Sequence, residues 1–168
     1  MRILETERLY LRELTIRDAE NFYLLNLDPD VIKYTGDNSF KSIDEAKSFL
    51  SQYDHYKKYG FGRWAVMDKR KELFLGWCGL KYDPTVNEFD VGFRFFKKQW
   101  NKGYATESAK ACLAYGFSKY EMPFIVGRAM QENMASIRVL IKIGMTFERI
   151  FNFDGHYGVI YRINRDDF

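Results

Sequence analysis

The stretch Trp100–Glu107, with the sequence WNKGYATE, lies between a strand-like segment, Phe89–Phe96, and a helical pattern that begins at Gly103. A turn at such a junction leaves the first backbone N–H groups of the helix without partners, and the helix dipole adds positive character. Gly103 lets an anion approach the backbone closely, and Ala105 keeps the next amide accessible. The stretch therefore predicts an anion-binding turn. Three lysines add charge beside it: Lys97, Lys98 and Lys102.

A second segment, Gln131–Ser136 (QENMAS), opens another helical pattern, which ends at Gly144. Together the two segments resemble the acetyl-CoA signature of the GNAT superfamily of N-acetyltransferases. The turn of that family reads Gln/Arg-x-x-Gly-x-Gly/Ala, and Trp100-x-x-Gly103-x-Ala105 stands in its place here. The resemblance covers nearly the whole chain. It implies an acetyl-CoA-dependent acetyltransferase.

Further features are similar to the RimJ/RimL branch of that superfamily, which acetylates N-terminal amines of ribosomal proteins. They are the tryptophan at position 100, the Tyr-Ala-Thr-Glu that follows Gly103, and the Glu-Asn-x-x-Ser of the second segment. Asp28–Tyr34 and Thr6–Arg12 also resemble segments of that branch. The resemblance implies an amine acceptor, which is either a protein N-terminus, such as that of a ribosomal protein, or a small-molecule or peptide amine. It is compatible with a homodimer.

Composition indicates a globular protein. Of the 168 residues, 46% are hydrophobic and 29% charged, which excludes a disordered or fibrous class, and we expect one domain over residues 1–168. The net charge of +3 suits an anionic ligand, but without long basic runs it does not favour nucleic acid. Cys78 and Cys112 show no metal-binding spacing, so we expect no metal. With no long apolar segment, the sequence predicts a cytoplasmic protein without membrane contact.

Hydrophobic periodicity predicts an α/β (α+β) fold. Three strand-like runs at 62–67, 73–80 and 88–96 form an antiparallel meander, and a strand at 123–130 then follows the helix at 103–117 in a parallel βαβ unit. Ser42 and Asn133 cap helices, and 146–163 closes the chain as a hairpin around Asp154-Gly155. The resemblance implies the GNAT fold, with a mixed, mostly antiparallel sheet of about six to seven strands and about four helices.

The cofactor contacts implied by the resemblance follow the turn. Its backbone amides would take the pyrophosphate, the backbone of Phe93 and Phe95 would pair with the pantetheine arm as an added strand, and Asn133 would meet the pantetheine amides or cap its helix. The predicted residues of the turn are Trp100, Asn101, Lys102, Gly103, Tyr104, Ala105 and Thr106.

For the chemistry, Asp90 is the candidate base, because the family places an acid on the strand before the turn. Glu88, two residues earlier and on the same face, is the alternate. For either acid the alternative role is a solvated strand face or a salt bridge, and for Glu88 that alternative is favoured. Ser136 is the candidate acid for the departing sulfur, and its alternative role is a local hydrogen bond to the backbone. An N-terminal amine has a pKa of about 8 against about 10.4 for lysine, so a modest base suffices. The rival function is a catalytically inactive module that binds or senses acyl-CoA.

Other conspicuous residues have simpler explanations. Cys78 is expected to be a buried strand cysteine, and His55 and His156 are expected to be surface residues. By analogy of position, the segment 34–36 and Trp64 are expected to line the acceptor cleft.

Overall fold

The fold is organised around one large sheet. The computed structural model describes residues 1–168, and its strands are β1 (Arg2–Glu5), β2 (Leu9–Glu13), β3 (Arg63–Asp68), β4 (Leu73–Asp83), β5 (Glu88–Phe95), β6 (Phe124–Met130), β7 (Thr146–Phe153) and β8 (His156–Asn164). They form an eight-stranded sheet in the order β1-β2-β3-β4-β5-β6-β8-β7. Only β5 and β6 run parallel. The predicted mixed, mostly antiparallel sheet is confirmed, with one strand more than the upper estimate.

The α-helices are α1 (Ala19–Leu27), α2 (Pro29–Ile32), α3 (Ile43–Ser51), α4 (His55–Tyr59), α5 (Tyr104–Tyr120) and α6 (Met134–Lys142). Ser42 and Asn133 cap α3 and α6 as predicted. Two helices exceed the predicted number because α2 and α4, with four and five residues, are too short to show a helical period. None of the helices combines the length and apolar character needed to cross a membrane.

Two hydrophobic clusters lie on opposite faces of the sheet. The larger one, of 23 buried residues, includes residues of α5 and α6 and of strands throughout the sheet. The smaller one, of 11 residues, joins α1 and α3 to β2, β3 and β4 and contains no residue of β5, β6, β7 or β8. On this second face those four strands instead carry charged side chains, and we call this region the open face. Its charged residues are Glu88, Asp90, Arg94, Arg128, Arg149 and Arg162, and we include Arg63 of β3, which reaches Asp90 on the same face.

Strands β5 and β6 separate soon after they meet. Their only registered pair is Asp90 with Val126, although both strands continue for several residues beyond it. On its other side β5 stays paired with β4 as far as Phe95, which faces Gly76. The second half of β5 therefore has one edge without a strand partner.

Two positional expectations are wrong. His55 is buried, with 8% of its surface exposed, and its Nε2 accepts the backbone N–H of Tyr82 at 3.1 Å. The short helix α4 packs this ring among aromatic side chains, which the polar sequence around it does not reveal. Trp64 is 1% exposed and packs edge-on against Tyr115 of α5. It lies in the core on the opposite side of the sheet from the open face.

Candidate functional site

The glycine turn, residues 100–106, connects β5 to α5 and presents free backbone donors. The N–H groups of residues 101–106 donate no hydrogen bond within the chain, and the first bonded amide is that of Glu107, whose partner is the carbonyl of Gly103. Gly103 has φ +80°, and a Cβ built there would contact only the Arg8 guanidinium, at 3.3 Å. The turn is thus a cradle of unpaired amides at a helix N-terminus, which suits a phosphate group.

Side chains from the start of the chain hold the glycine turn in place. The Arg8 guanidinium donates to the Lys102 carbonyl at 2.9 Å, lies over the Tyr104 ring and pairs with Glu107 at 2.7 Å. Glu107 also accepts the Thr6 hydroxyl at 2.6 Å. Burial raises the pKa of Glu107, but the bonds from Thr6 and Arg8 outweigh it, so its pKa lies below its ordinary value. The Thr6–Arg12 segment singled out by resemblance therefore supports the turn.

Trp100 anchors the other end of the turn. Its indole Nε1 donates to the Phe95 carbonyl at 2.9 Å, while 39% of the residue remains exposed. The Lys102 amine reaches the Gln99 side chain at 3.2 Å. Trp100 acts on the turn geometry through its side chain, and Lys102 brings a positive charge beside the free amides.

The start of α6 lies at the same edge of the sheet as the glycine turn, because β5 and β6 are parallel and each is followed by a helix. The Asn133 side chain accepts the backbone N–H of Ser136 at 3.2 Å, so the capping role of Asn133 is confirmed. The hydroxyl of Ser136, which is half-buried, forms no hydrogen bond. Ser136 therefore does not make the local hydrogen bond to the backbone that was its alternative role. Its hydroxyl is free to contact a ligand.

The side chains of Phe93 and Phe95 belong to the core face, where Phe95 is buried and Phe93 is half-buried. Their backbone lies in the part of β5 that has separated from β6. The arrangement leaves main-chain groups there for an extended ligand to pair with.

Asp90 and Glu88 both form ion pairs on the open face. Arg63 meets one Asp90 oxygen at 2.6 Å, and Arg128 approaches the other at 3.5 Å. Glu88 pairs with Arg128 and, at 2.6 Å, with Arg149. The salt bridge expected for Glu88 is confirmed. Asp90 stands beside the point where β5 and β6 separate, and both of its oxygens already face guanidinium groups.

A second group of polar side chains lies on β4 and β5 beside this pair. Arg94 bonds Asn26 and pairs with Asp37 at 2.7 Å. Its guanidinium and that of Arg63 lie over the Trp77 ring, at 5.4 and 5.5 Å from the ring centre. The buried Trp77 Nε1 has no hydrogen-bond partner in the chain. This cluster is rich in donors and holds one unsatisfied N–H.

The segment that carries Asp37 closes toward the hairpin of β7 and β8. Gly36 has φ +73°, and a Cβ added there would lie 2.6 Å from the Phe153 ring near the hairpin tip. His156, also at that tip, is exposed as expected. Gly36 thus lies beside the tip of the β7–β8 hairpin, and its place in an acceptor cleft stays a prediction.

The arginines of the open face were not found from the sequence. Arg63, Arg94 and Arg128 stand on three separate strands, and only the sheet register brings them together. A signal was present in the alternation of Asp90, Gly92 and Arg94 along β5, which places them on one face. Cys78 is a buried strand cysteine as predicted, with its sulfur 3.7 Å from that of Cys112.

Residues 8–146 match the family model described as an acetyltransferase (GNAT) domain. The chain belongs to the GNAT acetyltransferase family. It is 36% identical over 150 residues to the uncharacterised protein YkkB of Bacillus subtilis, covering 87% of this chain and 86% of YkkB. The protein is thus an N-acetyltransferase, and members of its family use acetyl-CoA.

Solved structures share the fold. A GNAT-family acetyltransferase from Bacillus anthracis superimposes with a TM-score of 0.85 at 28% identity, over 99% of each chain. The ribosomal-protein-S5-alanine acetyltransferase from Vibrio fischeri gives a TM-score of 0.82 at 17% identity, over 99% of this chain and 98% of that one, and this likeness shows the fold alone.

Proposed function

We propose that this acetyltransferase uses acetyl-CoA and transfers the acetyl group directly to a primary amine, without a covalent enzyme intermediate. The observation that carries the proposal is the row of unpaired N–H groups at residues 101–106, next to the free edge of β5. The two features lie end to end, as a pyrophosphate joined to an extended pantetheine arm requires. Bound acetyl-CoA would supply the activated acetyl thioester.

In this proposal the chain acts mainly by positioning. The glycine turn holds the pyrophosphate, the backbone of Phe93 and Phe95 aligns the pantetheine arm, and Asn133 supports it from the start of α6. Backbone amides at the separation of β5 and β6 would stabilise the oxyanion as the amine attacks. The free hydroxyl of Ser136 would give its proton to the departing thiolate. Asp90, or Glu88 in its place, would take the proton of the amine through water.

The acceptor is proposed to be a protein N-terminus or a small-molecule amine. The segments that resemble the RimJ/RimL branch favour a ribosomal-protein N-terminus, and the Vibrio fischeri enzyme shows that such an activity occurs on this fold. We further propose that residues 1–168 act as one domain in the cytoplasm. An inactive sensing module would bind acetyl-CoA without turnover, so product formation separates the two functions.

Calorimetric titration with acetyl-CoA tests the donor site. Gly103→Glu places a carboxylate and a strained side chain in the cradle, so we expect affinity to fall at least about a hundredfold. Gly155→Glu is the matched control, since Gly155 has nearly the same φ, +81°, and no neighbour within 4 Å of an added Cβ. It should bind like the wild type. Absence of binding to the wild type, or equal loss in both variants, would contradict the proposal.

The pH dependence of kcat/KM tests Asp90 as the base. If Asp90 accepts the proton, Asp90→Asn lowers the rate by about a hundredfold and shifts the acidic limb of the profile. Glu88→Gln is the comparison, because Glu88 shares the partner Arg128. A profile unchanged by Asp90→Asn, with only KM raised, would remove Asp90 as base and leave it as the residue that orients Arg63 and Arg128.

A further inference from the structure

We propose that the acceptor amine carries a carboxylate, and that Arg94 and the Trp77 N–H bind it. This inference rests on the proposed function and names the acceptor class. The core face of the sheet is filled by α5 and α6, so an acceptor that meets the thioester between β5 and β6 comes from the open face. The chemistry of that face then selects the acceptor.

On the open face, Glu88, Asp90 and Asp37 are all paired with arginines, so none of them is free to bind a polycation. Glu88 and Asp90 each face two guanidinium groups, and Asp37 pairs with Arg94. A diamine or polyamine needs unpaired acids for its distal ammonium groups. To bind Glu88 or Asp90 it would have to break an arginine pair and leave a largely buried charge without a partner, which is costly.

The indole N–H of Trp77 is a hydrogen-bond donor without an acceptor. The Trp77 Nε1 is buried without a partner, and an unpaired buried N–H is costly. The ring lies against the guanidinium groups of Arg63 and Arg94. Donors of this kind are complementary to a carboxylate, which accepts several hydrogen bonds and carries the opposite charge.

Arg94 already binds a carboxylate, that of Asp37. The Asp37 side chain is 56% exposed, whereas that of Arg94 is 13% exposed. Asp37 belongs to a segment without regular structure, and its N–H is held by the Thr35 hydroxyl at 3.1 Å. An incoming carboxylate can displace an exposed acid on such a segment. The carboxylate of the acceptor would then take the position that Asp37 occupies beside Arg94.

A matched acceptor series tests the inference: ω-amino carboxylates, n-alkylamines and α,ω-diamines of equal chain length, whose amines have similar basicity. Product formation from acetyl-CoA gives kcat and KM for each. We expect kcat/KM to be at least about tenfold higher for the best amino carboxylate than for the matching diamine, mainly through KM. A diamine preferred at every length would overturn the inference.

Three variants assign the preference to residues. Trp77→Phe keeps an aromatic ring but removes the indole N–H, and Arg94→Lys keeps the charge but not the paired donors. Both should reduce the preference for carboxylates several-fold through KM. Asp37→Asn should lower KM for the amino carboxylate, which the loss of a merely structural ion pair would not do. Arg70→Gln, at an exposed turn, is the control.

Thermal melting of each variant shows that it is folded. A carboxylate preference unchanged in both Trp77→Phe and Arg94→Lys would overturn the assignment. The outcomes also separate the two proposals. If the protein binds acetyl-CoA but acetylates only alkylamines or diamines, this inference alone is overturned. If the protein does not bind acetyl-CoA, the proposed function is overturned as well.

Discussion

The glycine turn and the open face both adjoin β5, but they are built from different parts of the chain. The turn presents consecutive backbone N–H groups between Trp100 and Glu107. The open face gathers side chains that are distant in sequence, such as Arg63, Asp90 and Arg128. A short segment can thus provide a row of backbone donors by itself, whereas a cluster of side chains depends on the register of several strands.

The largest loss of stability should come from Glu107→Ala. This variant tests whether the glycine turn depends on contacts with the start of the chain. Glu107 accepts bonds from Thr6 and from Arg8, and Arg8 in turn holds the Lys102 carbonyl. Because hydrogen bonds to charged groups contribute about 1.5–3 kcal/mol each, we expect a loss of about 3 kcal/mol in the free energy of unfolding. Urea unfolding measures it, and acetyl-CoA affinity should also fall about tenfold.

Glu7→Ala is the control for this change, since Glu7 is exposed and forms no ion pair. It should leave both quantities unchanged. Equal stability of Glu107→Ala and the wild type would mean that the turn needs no support from the start of the chain. The glycine turn would then depend on neighbouring residues alone, unlike the open face.

Acid should affect the glycine turn and the aromatic cluster around His55 of α4 at different pH values. Burial, followed by the nearby Arg63, lowers the pKa of His55 from 6.5 to about 4. Because the unfolded chain binds this proton more readily, stability is complete above pH 6.5 and is lost as pH falls toward 4. From the two pKa values we expect a loss of about 2 kcal/mol at pH 5. The pKa of Glu107 lies below its ordinary value, so the turn should lose its support only in stronger acid.

Urea unfolding between pH 7.5 and pH 5 measures this loss. His55→Gln, which keeps an acceptor for the Tyr82 N–H, should flatten the dependence, whereas the exposed His156→Gln should not. The same pH dependence in all three proteins would show that His55 is not the responsible group.

The smallest effect is expected for Ser136→Ala. A hydroxyl that assists the departing sulfur should contribute no more than about tenfold to kcat, because positioning supplies most of the rate. Acetyl-CoA affinity should stay the same. Ser118→Ala, at an exposed position of α5, is the control. A loss of affinity with kcat unchanged would make Ser136 a binding residue instead.

The sequence predicted the parts of the molecule that are encoded locally. The meander, the βαβ unit, the capping residues Ser42 and Asn133 and the glycine turn each follow from neighbouring residues. The edge strand β1 and the short helix α4 were missed, because a few residues carry too little periodicity.

The side-chain partnerships were not predictable, because register and packing create them. Nothing in the sequence around Asp90 indicates Arg63 or Arg128, and nothing beside His55 indicates its burial. The Arg94–Asp37 pair joins residues from β5 and from an irregular segment. Such pairs can be found only in the three-dimensional structure. For this reason the sequence predicts the cofactor, whose predicted contacts lie mostly in one short segment, but leaves the class of acceptor open.

The most direct test of the central claim is an amide NMR titration of the protein with acetyl-CoA. We expect the largest ¹H–¹⁵N shifts at residues 101–106, with further shifts along the second half of β5 and at the start of α6. The amides of the β3–β4 turn should not move. Shifts that leave 101–106 unchanged would contradict the claim that the free amides of the glycine turn hold the donor.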